Sequence, residues 1–280
     1  MIRDKIETIQ NSIIQHGKNN DRVYIMKIGT DDISSLIKEI NELVKSKKYS
    51  KIFAKVHSGK TNDFFRDGYK TEAVIKGYFN GVSDAFLMAK YFSPERAVLK
   101  NSDETDSIIE TAKAKAGDIQ KPKIINYEII KCSKEHSPQM AALYKSVFKT
   151  YPFPIDDPKY IERTMKENII YFAAVKNKEI IALSSCETDK QTQSVEMTDF
   201  ATSQKYSGNG IALHLLKEME KEMTANNFIT AYTIARAASV PMNITFARNG
   251  YEYSGTLINN TDISGGIESM NVWVKNILRR

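Results

Sequence analysis

The chain has 280 residues, 41% hydrophobic and 26% charged, the balance of a globular protein with length to bury one large core or two modest ones. Its net charge of +6 divides evenly on either side of residue 120 and gathers in no basic stripe, which argues against a nucleic-acid partner. No apolar leader follows Met1, no stretch nears the ~18–20 apolar residues of a membrane helix, and there are two cysteines; the expectation is a reduced, cytoplasmic protein without membrane contact.

Ile6, Ile9 and Ile13 recur at helical spacing up to Gly17 and predict a first helix. Residues 23–26 read as a strand. Asp31 or Asp32 is placed to cap a helix carrying Ile33, Ile37, Ile40 and Val44 on one side. A strand over 52–56, a short helix over 61–66 ended by Gly68, and strands over 72–79 and 85–92 follow. From Pro94 to Pro122 the chain is charged and free of aromatic residues, and reads as a connection between domains. It holds one helix, which Asn101 and Glu104 would open as a capping box.

The second part alternates strands and helices again. A strand over 126–130 precedes a helix over 136–147 with Met140, Leu143 and Val147 inward. Tyr151-Pro152-Phe153-Pro154 cannot be helical, because proline removes donors and restricts its neighbours. A helix over 158–166, a strand pair over 170–175 and 180–186 turned at Asn177-Lys178, and a strand over 195–201 come next. A glycine-bearing loop then leads into a helix with Ile211, Leu215, Met219 and Met223. A strand over 232–235, a short helix over 242–249 ended by Gly250, and strands over 251–258 and 269–274 close the chain. Cys132 and His136 lie four residues apart, but two ligands make a poor metal site and no metal is expected.

Phe64-Phe65-Arg66-Asp67-Gly68-Tyr69 and Phe246-Ala247-Arg248-Asn249-Gly250-Tyr251 share Phe and Gly-Tyr at the same spacing. Each follows strand, long helix, strand and precedes two strands, so one unit is used twice. Only the second copy carries the loop Lys205-Tyr206-Ser207-Gly208-Asn209-Gly210. Glycines there let backbone approach a ligand, and the start of a helix offers unpaired N–H groups to a phosphate. In the first copy the matching place is Gly29-Thr30-Asp31-Asp32, whose aspartates repel an anion. The loop is neither a P-loop nor a dinucleotide fingerprint; a turn that binds nothing is the competing reading.

The order of elements resembles the GNAT acetyltransferase fold over about residues 126–275, an α/β (α+β) architecture with a mixed, mainly antiparallel sheet. In that family a loop of pattern Arg/Gln-x-x-Gly-x-Gly/Ala holds the pyrophosphate of acetyl-CoA; here Lys205, Gly208 and Gly210 match it. The N-terminal copy then resembles a degenerate half of the same fold. The resulting division is 1–94, a helical connector over 95–123, and a catalytic domain over 124–280. Four longer strings, from Val195 to Thr202, Tyr232 to Ala237, Met242 to Phe246 and Glu268 to Trp273, are similar to the beta-lysine N-acetyltransferase family. That resemblance implies transfer of acetyl from acetyl-CoA to the side-chain amine of beta-lysine, giving a neutral compatible solute for osmoadaptation. The alternatives are another amine (a polyamine, an amino acid or a protein lysine) or a non-catalytic acyl-CoA sensor.

An amine attacks a thioester only without its proton, and its pKa lies near ~10, so the site needs a base. Glu196, on the strand before the loop, is the first candidate; a solvated strand residue is the alternative. Glu187 is placed to bind an ammonium, or is a hairpin-edge charge. Asp199 faces away from Glu196 by strand alternation unless a bulge intervenes. Arg236 is placed for the substrate carboxylate or for a salt bridge. The resemblance assigns Phe200, Ala201 and Thr202 to the pantetheine arm, and Lys205, Ser207, Gly208, Asn209, Gly210, Ile211 and Ala212 to the pyrophosphate. Asn243 contacts the cofactor or caps its helix. Phe246 stands at a cofactor-binding position where many members have a tyrosine that protonates the leaving thiolate. Tyr232, Tyr251 or water would replace it, or the thiolate leaves unprotonated. His214 is expected at the surface, Trp273 in the core or cleft wall, and Arg279-Arg280 as a frayed end. The assembly is left open between a monomer and a homodimer.

Overall fold

The computed structural model describes residues 4–118 and 126–278. In chain order the elements are β1 (Lys5–Ile9), β2 (Ser12–Gly17), β3 (Arg22–Lys27), α1 (Ile33–Lys47), β4 (Lys51–His57), α2 (Thr61–Arg66), β5 (Lys70–Phe79), β6 (Ser83–Tyr91) and α3 (Ser102–Lys113). They continue as β7 (Glu128–Lys131), α4 (Ser137–Val147), α5 (Pro158–Glu167), β8 (Ile169–Lys176), β9 (Glu179–Asp189), β10 (Ser194–Thr202), α6 (Ile211–Ala225), β11 (Thr230–Arg236), α7 (Val240–Arg248), β12 (Glu252–Ile263) and β13 (Gly266–Asn276). The end of the predicted connector, beyond residue 118, and Arg279-Arg280 lie outside the described residues.

The first predicted helix is a β-hairpin. Gln10 and Asn11 both take positive φ, 46° and 62°, the two-residue turn whose twist matches that of its strands. Ile14 is buried while Ile6 and Ile13 are 55% and 38% exposed, so the three-and-four spacing of isoleucines marked no helix face. The β-branched content of the segment suits a pleated surface instead. Asn101 also departs from expectation. It starts α3, but at φ 58° its side chain reaches Glu104 Oε2 (3.4 Å) and no backbone N–H, so the capping box does not form.

The strands form one sheet in the order β1-β2-β3-β4-β6-β5-β12-β13-β11-β10-β9-β8-β7. Only β3–β4 and β10–β11 are parallel. With the outermost strand β7 set aside, the order read from the two ends inward is the same: β1 corresponds to β8, β2 to β9, β3 to β10, β4 to β11, β6 to β13 and β5 to β12. The sequence repeat is therefore a repeat of topology, and the hairpin misread as a helix is the counterpart of β8–β9. The turn at Asn177-Lys178 has the same two positive φ values, 51° and 66°.

Helices cover the sheet according to their apolar stripes. Leu36, Ile37, Ile40 and Val44 of α1 pack over Ile25, Ile52 and Val56. Ile211, Leu215, Met219 and Met223 of α6 pack over Phe172, Ile181, Val195 and Met197. The opposite face of β8 and β9, with Tyr171, Ala173 and Leu183, takes Met140 and Tyr144 of α4 and Ile161 of α5. Each fully buried aliphatic of this size stabilises the fold by about 2 kcal/mol.

The two copies meet edge to edge at β5 and β12, where Gly255 pairs with Ala73. Side chains reinforce the short ladder. Buried Lys51 donates to Glu72 (2.9 Å) and to the Ile258 carbonyl (2.7 Å), and Glu72 accepts from the Ile258 N–H (2.9 Å). Arg96 donates from Nε to the Asn259 carbonyl (2.7 Å). Among the described residues no helix is long and apolar enough to cross a membrane.

Candidate active site

A cavity of about 850 Å³ opens on the sheet face opposite α6 and reaches Met242 and Phe246 of α7. Its walls come from both copies: Tyr24, Phe53, Lys55 and Tyr78 from the first, Glu187, Glu196, Asp199, Phe200 and Tyr232 from the second. The non-helical segment of Tyr151, Pro152 and Phe153 lines it from the side of α4.

The pairing of β10 with β11 creates the opening. Those strands are parallel neighbours only from Ser194↔Thr230 to Glu196↔Tyr232, although β10 runs on to Thr202 and β11 to Arg236. Beyond Glu196 the β11-facing edge of β10, which includes Phe200, Ala201 and Thr202, is left without a ladder partner. Extended backbone with free donors and acceptors on one edge is suited to an amide-bearing chain lying along it.

Glu196 and Glu187 are direct partners across β9 and β10, so their carboxyls face one another on the same side of the sheet. Burial and the neighbouring Glu187 push Glu196 up to about 8, against Lys55 and a hydrogen bond from Tyr232. Glu187 is raised too, by burial, with Lys55 opposing. Asp199 joins them through a bulge. The β9 register slips by one residue between Thr198 and Ala201, and Asp199 takes φ 56°. This reverses the side that alternation would give it. Ser185 donates to Asp199 (2.6 Å), as does the Tyr151 hydroxyl. Tyr232 is buried and its phenol is held well above the usual value by that burial, so it meets Glu196 as a neutral donor.

The glycine loop joins the end of β10 to the start of α6. Gly208 and Gly210 both have φ 76°, and a Cβ added to either would meet nothing within 4 Å. The space over the loop and the free N–H groups of the first turn of α6 therefore fit a pyrophosphate. Asn209 Nδ2 donates to the Tyr206 carbonyl (2.9 Å) and to the Ser207 carbonyl (3.2 Å), which holds the loop's shape. Lys205 and Ser207 are exposed beside it.

The profile of the acetyltransferase (GNAT) family matches residues 139–251, which include the carboxylates, the splayed strands and the loop. A beta-lysine N(6)-acetyltransferase of Methanococcus maripaludis is 44% identical over 97% of this chain and 98% of its own length. The chain belongs to the beta-lysine N-acetyltransferase family, within the GNAT acetyltransferases. Its counterpart in Methanosarcina mazei is 29% identical over 84% of this chain and 94% of its own. Among solved structures, an N-acetyltransferase from Staphylococcus aureus Mu50 aligns with 55% of this chain and 99% of its own at 17% identity and a TM-score of 0.49. The enzyme is thus an N-acetyltransferase with acetyl-CoA as cosubstrate.

Several residues of this acetyltransferase stand elsewhere than their sequence positions implied. Arg236 lines the cavity, and its guanidinium makes the salt bridge, held bidentately by Glu268 through Nε (2.8 Å) and Nη2 (2.7 Å). Asn243 does not cap α7, whose N-cap is Ser239, and is not among the residues of the cavity wall. It is fully buried; Nδ2 donates to the carbonyls of Arg236 (3.1 Å) and Ser239 (2.8 Å), and Oδ1 accepts from Asn271 (2.9 Å) and Trp273 (2.8 Å). Phe246 is buried but does line the cavity, its ring packed edge-on between Phe200 and Tyr251. Tyr251 is likewise buried among core residues and is not a wall of the cavity. His214 is half-buried and shares a 2.6 Å hydrogen bond with the Tyr127 hydroxyl.

The residue that sequence reasoning missed is Lys55. It donates to the Tyr78 hydroxyl (2.8 Å) and lies over the rings of Tyr78 and Tyr232 at 4.7 and 5.9 Å. A lysine inside the apolar run Ile52-Phe53-Ala54-Lys55-Val56 was the available signal. Solvated edges usually explain such a residue; here the second copy covers it.

Gly208→Val tests the loop. A β-branched residue cannot take φ 76° without strain, and its side chain would fill the space over the backbone. Affinity for acetyl-CoA, by calorimetry, should fall at least about 30-fold with kcat/KM, since both the N–H donors and the approach are lost. Unchanged affinity would refute the assignment.

Proposed function

We propose that the enzyme moves the acetyl group of acetyl-CoA to the side-chain (N6) amine of beta-lysine. The observation that carries this reading is the pair of facing carboxylates, Glu187 and Glu196, in the wall of a cavity at the end of an unpaired strand edge. Such a site attracts a diammonium substrate and takes a proton from it. The two beta-lysine N(6)-acetyltransferases among the relatives support the same acceptor.

Bound acetyl-CoA supplies the acetyl thioester. The backbone of Phe200, Ala201 and Thr202 would hold its pantetheine arm, and residues 205–212 its pyrophosphate. Glu196 accepts the proton from the attacking amine as the amide C–N bond forms and the thioester C–S bond breaks, the CoA sulfur leaving as a thiolate. Tyr232 orients Glu196 through their hydrogen bond. Glu187 receives charge from the ammonium, with Asp199 fixed behind it by Ser185 and Tyr151. Catalysis belongs to 124–280, and 1–94 forms a degenerate copy that walls the cavity. Acetylation neutralises one ammonium and leaves a zwitterion, which fits a solute accumulated against osmotic stress. Free Cys132 and Cys186 fit a reducing cytoplasm.

Free-thiol release from acetyl-CoA across beta-lysine, lysine, ornithine, a polyamine and a lysine peptide tests the reading. The highest kcat/KM is expected for beta-lysine. Turnover with peptides alone would overturn it, and cofactor binding without thiol release from any amine would mark an acyl-CoA sensor.

A further inference from the structure

Arg22 opens β3 in the first copy and lines the same cavity, yet it is only 4% exposed. Its guanidinium lies over the rings of Tyr24 (5.4 Å) and Phe53 (5.7 Å). Nη1 donates to the Asn260 carbonyl and to Thr261 Oγ1 (3.2 Å), while Nε has no partner. Among the described residues no carboxylate is paired with it. The acids that act on it from a distance are spent elsewhere: Asp4 on the N–H groups of Asn19 and Asn20, Glu72 on Lys51. Beside it Asn260, 2% exposed and also in the cavity wall, has an Oδ1 without a partner.

A buried cation without a counter-ion is costly, as is a buried acceptor without a donor. Two such groups on touching residues, facing one cavity, are complementary to a carboxylate with an ammonium beside it. Their position along the sheet fits as well. Arg22, Tyr24 and Met26 alternate onto the cavity face of β3, and Tyr24 is the partner of Phe53 on β4. Lys55, which neighbours the Glu187–Glu196 pair, lies four residues along from the level of Arg22, about 13 Å at the rise of a strand. That span takes an extended six-carbon diamino acid with its contacts at both ends.

We propose that Arg22 and Asn260 bind the carboxylate and adjacent ammonium of the acceptor, so that the degenerate copy selects the substrate for the catalytic one. This rests on the acceptor's being a carboxylated diamine, as proposed above. The test compares beta-lysine with its amide, in which the carboxylate is replaced by a neutral group of the same shape. The native enzyme is expected to prefer the acid by about 100-fold in kcat/KM. Arg22→Gln should raise KM for beta-lysine by a similar factor and bring the acid-to-amide ratio close to one. Arg22→Lys should leave an intermediate ratio. Because Arg22 also bonds β12, thermal denaturation and acetyl-CoA affinity are measured alongside. A purely structural role lowers both substrates together and leaves the ratio alone, and that result would overturn the proposal. So would a native enzyme indifferent to amidation, while leaving beta-lysine acetylation standing. If another amino acid is the preferred acceptor, the ratio is read on that acid and its amide, and only the beta-lysine reading falls. A polyamine as preferred substrate would overturn both.

Discussion

Glu196→Gln lowers kcat for beta-lysine by about 10²–10³-fold with little change in the affinity for acetyl-CoA, the loss expected when a positioned base is removed. The pH profile identifies the cause. In the free enzyme Glu196 is held up to about 8 by burial and by Glu187, so it carries a proton at neutral pH and becomes a base as pH rises. Native kcat/KM should climb through about pH 8 and fall again as the acceptor ammonium, near ~10, loses its own proton. The two carboxyls titrate as a pair, and the lower limb belongs to both. In the glutamine variant that limb disappears, and the residual rate rises steadily towards pH 10 with the neutral amine. A retained limb near 8 would assign the base elsewhere.

Stability gives an independent reading of the same group. A carboxyl whose folded-state pKa is raised contributes stability that is full below its unfolded value of 4.5 and is lost as pH rises through about 8. Glutamine cannot ionise. Relative to the native enzyme, Glu196→Gln should therefore gain little Tm at pH 4 and progressively more as pH rises from 5 to 9. A variant that is slower but more stable at high pH is the signature of a functional carboxylate held against its preference for water.

Gly255→Ala is expected to cost about 4 kcal/mol, a fall in Tm on the order of 10 °C. Gly255 has φ 142°, a conformation open essentially to glycine alone, and an added Cβ would lie 2.1 Å from the Glu72 carbonyl oxygen and 2.8 Å from Ala73 Cα. Both neighbours are backbone of β5 and cannot swing aside. Moving Glu72 also strains buried Lys51, whose ammonium burial already pulls down to about 8 against the attraction of Glu72. Gly265→Ala is the control: φ is 100° there, but the nearest atom is Cδ of the Lys149 side chain at 3.9 Å. The difference in Tm between the variants isolates the clash. Hydrogen exchange should quicken in β5 and β12 together. A Tm for Gly255→Ala no lower than that of Gly265→Ala would show that the seam does not hold the copies together.

Elements whose stabilisation is local or periodic were legible in the sequence. The stripe of Ile33, Ile37, Ile40 and Val44, the 61–66 helix ended before Gly68, and the positive-φ turn at Asn177-Lys178 follow from spacing and turn chemistry, and all are present. The hairpin over Lys5–Gly17 was not, because three isoleucines fit a helix as well as a strand until pairing with β3 decides which face is inside. Asp199 shows the same limit at the site. Alternation turns it away from Glu196, and only the register of β9 against β10 inserts the extra residue that turns it back.

By itself, then, the sequence determined the repeat, the copy that carries the glycine loop, and the carboxylates on the strand before it, since each is a matter of residue type at short range. Tertiary structure alone decided how charges distant in sequence are shared. It paired Arg236 with Glu268, buried Asn243 in bonds to Trp273 and Asn271, and joined the copies so that Lys55 of one faces the acids of the other and Arg22 lines the same cavity. A charge's role depends on its nearest partner and on its distance from water, and in a sheet assembled from both ends of a chain neither is set by sequence neighbours.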